Sequence, residues 1–293
     1  MRDVSVAVLQ LSAGPNIGAC VTAAAGRCAA TLEAGTEIVV LPENYWGIAS
    51  IEAKQGLAVD LHGADQTPLI SPFLALSAAY AHSWIILGGL PERPASGDPA
   101  AERGLLYNTL VVLHSGRVVA HYRKIHRFDA DLPNGVSLRE SATTAGGERP
   151  VVIHTPLASI GLSICYDLRF PSLYRALAEA GAEIVVVPSA FTVETGLDHW
   201  EVLLRARALD TQCYVLAPAL HGRHSETRQS FGHSMIVDPW GTVIAHSSGG
   251  DSTVSARLDP EVLQGVRARL PILRHQTLPY GPRADSIDLR GMT

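Results

Sequence analysis

The segment Ser159-Ile-Gly-Leu-Ser-Ile-Cys-Tyr-Asp-Leu-Arg-Phe-Pro171 decides how this chain is read. Its first half is a short apolar run of the kind that forms a buried strand. Pro171 suits the first position of a helix whose apolar stripe is Leu173, Ala176, Leu177 and Ala180. Side chains alternate along a strand, so Ile160, Leu162 and Ile164 share one face, and Gly161, Ser163 and Cys165 share the other. The small residues of the second face predict open space beside Cys165. The helix start beyond it predicts backbone N–H groups and a positive dipole end, which stabilise a thiolate and a developing oxyanion. Cysteine is also among the most buried residue types, so the thiol alone decides nothing.

Outward from this segment, strand and helix signals alternate without a break, which implies one α/β domain. Val4–Leu11 reads as a strand, followed by a helix capped by Asn16 with Cys20 and Cys28 on its apolar face. Glu37–Leu41 is a short β-branched strand ending in Pro42-Glu43. A helix is expected over Pro68–His82, then a strand Trp84–Leu87 stopping at turn glycines Gly88-Gly89. Tyr107–Leu113 and Arg117–Tyr122 read as a hairpin, followed by a long loop, Lys124–Pro150. Past the cysteine helix come a strand at Glu183–Val187 and a helix His199–Asp210 capped by Asp198 and Glu201. Strands Cys213–Ala217, His233–Val237, Val243–His246 and Thr253–Leu258 complete the pattern. The chain divides into one domain, 1–270, and a C-terminal tail, 271–293, expected to pack on the domain or on a partner copy.

Composition narrows the function classes. A formal charge of −5 without a basic block argues against nucleic acid or an anionic membrane surface as partner. No stretch approaches the roughly 20 apolar residues that span a bilayer. The four cysteines, Cys20, Cys28, Cys165 and Cys213, lack metal-ligand or disulfide-framework spacing and read as reduced thiols of a cytoplasmic protein. His221, His224 and His233 lack supporting carboxylate or cysteine at ligand spacing, so no metal and no cofactor is expected.

Three residues carry candidate chemistry. Glu43 follows the end of a buried strand, where active sites of α/β sheets gather, and a partly desolvated carboxylate there suits a general base. Lys124 follows another strand and offers a fixed charge for an oxyanion. Cys165 follows a third. No Gly-x-Ser-x-Gly elbow occurs; the corresponding position in Gly161-x-Ser-x-Cys165 holds a thiol. A papain-like pairing with His126 or His199 as base stays open on residue type, although that family's local cysteine signature is absent.

The contexts Leu-Pro-Glu43-Asn, Tyr-Arg-Lys124-Ile-His-Arg-Phe-Asp and Ile-Cys165-Tyr-Asp-Leu-Arg-Phe-Pro, in this order, resemble the nitrilase superfamily of carbon–nitrogen hydrolases over nearly the whole chain. The resemblance implies a four-layer α-β-β-α sandwich and a homodimer or higher homo-oligomer. It implies catalysis by Glu43, Lys124 and Cys165, with the Tyr166 backbone N–H as oxyanion donor. Glu140 is implied to orient Lys124 or the substrate, and His126, Arg169, Ser189, Phe191 and Thr192 to contact the substrate. The Cys-Tyr-Asp context differs from the Cys-Trp-Glu of true nitrilases, which points to a small-molecule amide as substrate. The run Thr195–Ala208 is similar to the Nit-type amidases, and within that branch His221–His224 and Arg228–Ser234 are more similar to deaminated glutathione amidases than to omega-amidases. That likeness implies release of 2-oxoglutarate and Cys-Gly. Ser172 and Arg127 depart from residues frequent in the family.

Overall fold

A computed structural model of the chain describes all residues except 62–66, 132–134, 136, 227, 278–283 and 293. Two sheets form the centre. In the first, the strands run Gln229–Phe231, Leu220–Arg223, Val4–Ser12, Ile38–Val40, Trp84–Glu92, Leu106–His114, Arg117–Arg123. Val4–Ser12 has two neighbours on one edge: Ser252–Leu258 runs antiparallel to it from Val4 to Gln10, and Leu220–Arg223 continues in parallel at Leu11 and Ser12. The second sheet runs Val243–His246, Met235–Val237, Tyr214–Ala217, Ile184–Val186, Ser159–Leu162, Val151–His154, Asp285–Asp288. The last of these belongs to the tail and lies parallel to Val151–His154.

Alternation of side chains divides the core. Val6, Val8, Ile38, Val40, Trp84 and Ile86 face inward and meet Ile160, Leu162, Ile184, Val186, Leu216 and Ile236 of the second sheet. The opposite face, with Leu9, Val39, Ile85 and Val111, is covered by the helices Ile17–Glu33 and Ser71–Ala79 through Val21, Ala24, Cys28, Leu32 and Phe73. On the far side, Pro171–Glu179 and Val193–Thr211 cover the second sheet with Leu173, Leu177, Trp200 and Leu204. The order of layers is helix, sheet, sheet, helix. Because both faces of the central strands are covered, the strands are apolar runs rather than alternating ones. None of the helices among the described residues is long and apolar enough to cross a membrane.

Several local expectations change. The helix expected from Asp198 begins at Val193, so Asp198 and Glu201 lie inside it rather than at its cap. Trp84–Glu92 runs through Gly88-Gly89 as one strand with a bulge, not a turn. A Cβ on Gly88 would lie 2.3 Å from Pro188 Cβ, and one on Gly89, at φ +53°, would lie 2.6 Å from Glu43 Cγ. The bulge admits the Pro42-Glu43 segment against the strand. Within Lys124–Pro150, Asp129–Asp131 pairs with Ser137–Arg139, and Thr144–Ala145 adds to Leu106–His114.

The small face of the cysteine strand also has another use. Gly161 and Ser163 face the helix Pro171–Glu179, not open space: a Cβ on Gly161 would lie 3.1 Å from Leu177, and Ser163 Oγ bonds Tyr174 Oη at 2.8 Å. Helix and sheet approach closely there because Gly161 has no side chain. Gly161→Val therefore overpacks this contact and lowers stability by about 1–3 kcal/mol, measurable as a shift in the urea midpoint at unchanged m-value.

Candidate active site

The strand Ser159–Leu162 ends before the nucleophile. Cys165 adopts φ +48°, in the left-handed region that a residue with a Cβ rarely enters. It opens a 3-10 turn, Cys165–Arg169, and the α-helix starts only at Pro171. The turn's first bond runs from the Asp167 N–H to the Ile164 carbonyl at 3.0 Å, which leaves the Tyr166 N–H outside the 3-10 pattern. The Cys165 N–H donates to the Pro188 carbonyl at 2.9 Å.

A fully buried carboxylate holds this turn. Asp167 Oδ2 accepts from Tyr122 Oη at 2.7 Å and from the Ile164 N–H at 2.9 Å. Its Oδ1 accepts from the His126 N–H at 3.0 Å and from His126 Nδ1 at 2.7 Å. Tyr122 and His126 flank Lys124, and Ile164 precedes Cys165. One carboxylate thus ties the lysine strand to the cysteine turn. His126 is stacked flat on Phe170, with ring centroids 3.6 Å apart.

Glu43, Lys124, Glu140 and Cys165 line one cavity of about 230 Å³. Lys124 Nζ donates to Glu43 Oε1 at 3.1 Å and to Glu140 Oε2 at 2.9 Å. Asn108 Nδ2 bridges the same two glutamates, at 2.8 Å to Glu43 and 3.2 Å to Glu140. The Ala190 N–H donates to the other Glu43 oxygen at 3.1 Å, and the Phe128 N–H holds Glu140 Oε2 at 2.6 Å. The pattern of strand ends pointed to Glu43 and Lys124. It missed Asn108, whose one signal is a lone amide inside the apolar strand Leu106–His114.

Burial works against the Lys124 ammonium, but Glu140 and then Glu43 outweigh it and hold its pKa well above the usual lysine value. For Glu140 burial opposes the charge as well; Lys124 wins, and the carboxyl sits below its usual value. The thiol goes the other way. Burial first, and the Glu43 carboxylate second, push Cys165 well above the ordinary thiol range despite the pull of Lys124. The shift runs against the expected dipole-stabilised thiolate and favours the protonated thiol beside the Glu43 carboxylate. The arrangement suits attack coupled to proton transfer.

The five residues expected to contact substrate have other partners and are not among those lining the cavity. His126 is held by Asp167, and Arg169 reaches His199 at 3.3 Å. Ser189 is buried and donates to the Val187 carbonyl, Phe191 packs on Trp200, and Thr192 bonds Thr195. Ser172 is exposed in the first helical turn and Arg127 lies against Gly146; neither reaches the cavity.

Two outcomes follow from this geometry. The Asp167→Asn amide presents N–H to groups that already donate, so kcat falls about ten- to hundredfold with little change in KM, and the melting temperature drops. In the ultraviolet thiolate band, the difference between wild type and Cys165→Ala stays flat up to pH about 8.5. Glu43→Gln removes the nearby negative charge and moves that rise to lower pH. A thiolate signal near neutral pH in the wild type contradicts this account.

Comparison with known proteins agrees with the geometry. The carbon–nitrogen hydrolase family model matches residues 5–268. Deaminated glutathione amidase of Mus musculus is 43% identical over 92% of this chain and 82% of its own. The protein of that name from a Synechocystis strain is 38% identical over 94% of this chain and 99% of its own. The crystal structure of Saccharomyces cerevisiae Nit3, described as a member of branch 10 of the nitrilase superfamily, superposes with a TM-score of 0.79 at 31% identity, over 92% of this chain and 95% of that one. With its family model matched nearly end to end and its sandwich shared with Nit3, this chain belongs to the carbon–nitrogen hydrolases.

Proposed function

We propose that this enzyme is a cysteine-dependent amidase that hydrolyses deaminated glutathione to 2-oxoglutarate and Cys-Gly. The observation that carries the reading is the cavity in which Glu43 and Cys165 stand beside a Lys124 ammonium held between two carboxylates. The names of the relatives support the choice of substrate.

Glu43 takes the Cys165 proton as the sulfur attacks the amide carbonyl. The oxyanion forms against the Lys124 ammonium and the Tyr166 N–H, both fixed before the reaction. Glu43 returns the proton to the leaving amine, and Cys-Gly departs from a 2-oxoglutaryl thioester. Glu43 then takes a proton from water as it attacks the thioester, and 2-oxoglutarate leaves as the thiol is re-formed. Glu140 has no step of its own: its bonds to Lys124, Asn108 and the Phe128 N–H keep the ammonium aimed. The same reading includes a homo-oligomer, for which the exposed Val202 and Leu209, seven residues apart on one side of the helix Val193–Thr211, offer an apolar surface.

Mass spectrometry tests the central step. Brief incubation with deaminated glutathione, quenched in acid, leaves a 2-oxoglutaryl adduct on Cys165 in the wild type and none in Cys165→Ala. A variant lacking the thiol that still turns over the amide at the full rate rules the mechanism out. Lys124→Met lowers kcat about 100- to 1,000-fold, and by much more than it weakens binding, because its charge acts mainly on the transition state.

A further inference from the structure

The catalytic quartet leaves two cations of the same cavity unused. Lys54, from the short helix Ile51–Leu57, and Arg228, preceding the strand Gln229–Phe231, both line it. Both are half-buried. Among the described residues neither side chain has a hydrogen-bond or ion-pair partner. Arg139, a third cation on the wall, is already taken by Asp131 at 2.7 Å. Glu43 and Glu140 offset these charges only in part, because their oxygens are engaged by Lys124, Asn108, Ala190 and Phe128. Burial, then Arg228, lowers the pKa of the Lys54 ammonium below its usual value, more than Glu140 and Glu43 restore it. Two cations that repel each other in partial burial cost stability unless an anion joins them.

We propose that Lys54 and Arg228 form a carboxylate-binding subsite that selects amides bearing a free carboxylate. The guanidinium supplies a planar two-donor fork and the ammonium a point charge, a pair suited to gripping a single carboxylate. This rests on the amidase reading and deepens it. The proposed substrate carries two such groups, one on the 2-oxo acid that stays on the sulfur and one on the glycine of the leaving dipeptide.

The test compares kcat/KM for 2-oxoglutaramate, whose carboxylate is on the acyl side, for N-butanoyl-Cys-Gly, whose carboxylate is on the leaving side, and for the neutral glycinamide form of the latter. In Lys54→Met and Arg228→Met, the ratio of charged to neutral substrate falls roughly ten- to hundredfold for one of the two arms, through KM, and the arm that falls identifies the carboxylate gripped. Arg228→Lys recovers part of the loss. Calorimetric dissociation constants for 2-oxoglutarate and for Cys-Gly, read on the same proteins, weaken by a similar factor for that half of the molecule. If the wild type binds one of these anions through Lys54 and Arg228 but hydrolyses no amide, the subsite stands and the amidase reading falls. If the wild type hydrolyses the amides while neither ratio nor either dissociation constant moves in the variants, the subsite is wrong and the amidase reading survives. Unmoved dissociation constants in a protein without turnover overturn both.

Discussion

Four donors converge on the carboxylate of Asp167, and the active site depends on their meeting there. Taking an ionised carboxylate fully out of water is expensive, and it is tolerated only when its lone pairs are filled. The donors come from both sheets: Tyr122, in the last strand of the first, and His126 just past that strand bracket Lys124, and Ile164 lies just past the strand Ser159–Leu162 of the second. Satisfying one buried acid therefore fixes the spacing between Lys124 and Cys165. The backbone at Cys165 carries a cost of its own, since φ +48° is unfavourable for a side chain with a Cβ. Bonds from Asp167 on one side and from the Cys165 N–H to Pro188 on the other over-determine that conformation.

Glu43 is positioned by a different device. Its carboxylate stands beside the thiol with its charge spread over several donors, Lys124 among them. Gly88 and Gly89 let the neighbouring strand bulge against it, and the Asn108 amide and the Ala190 N–H hold its two oxygens. One Glu43 oxygen is shared between Asn108 and Lys124, so the base and the oxyanion charge belong to a single hydrogen-bonded array. Such arrays gain rigidity in a medium of low dielectric.

The strands were legible in the sequence because their residues are apolar in short uninterrupted runs, and the three reactive residues were legible because each ends such a run. Contacts between distant segments were not. Asn108 reads as an oddity inside a strand until Glu43, 65 residues earlier in the chain, is placed beside it. Gly88-Gly89 carries the local signature of a turn, and only the proximity of Pro188 and Glu43 turns it into a bulge. Gly161 and Ser163 looked like room for a substrate, whereas the helix that follows them in sequence folds back to fill that room. Arg228 was legible only as the first residue of a family-like run and Lys54 not at all, and neither could be placed on the cavity wall without the fold.

The protonated state of the Cys165 thiol has a consequence for the enzyme's chemical durability. Peroxides and electrophiles react with thiolates, and neutral thiols are poor targets. Cysteine enzymes that keep a standing thiolate are exposed to oxidation whenever the site is empty. In the proposed mechanism the sulfur becomes nucleophilic only as Glu43 removes its proton, in the same event that forms the bond to a carbonyl. Burial and the Glu43 charge, by holding the thiol pKa up, shrink the thiolate population that an oxidant meets in an empty site.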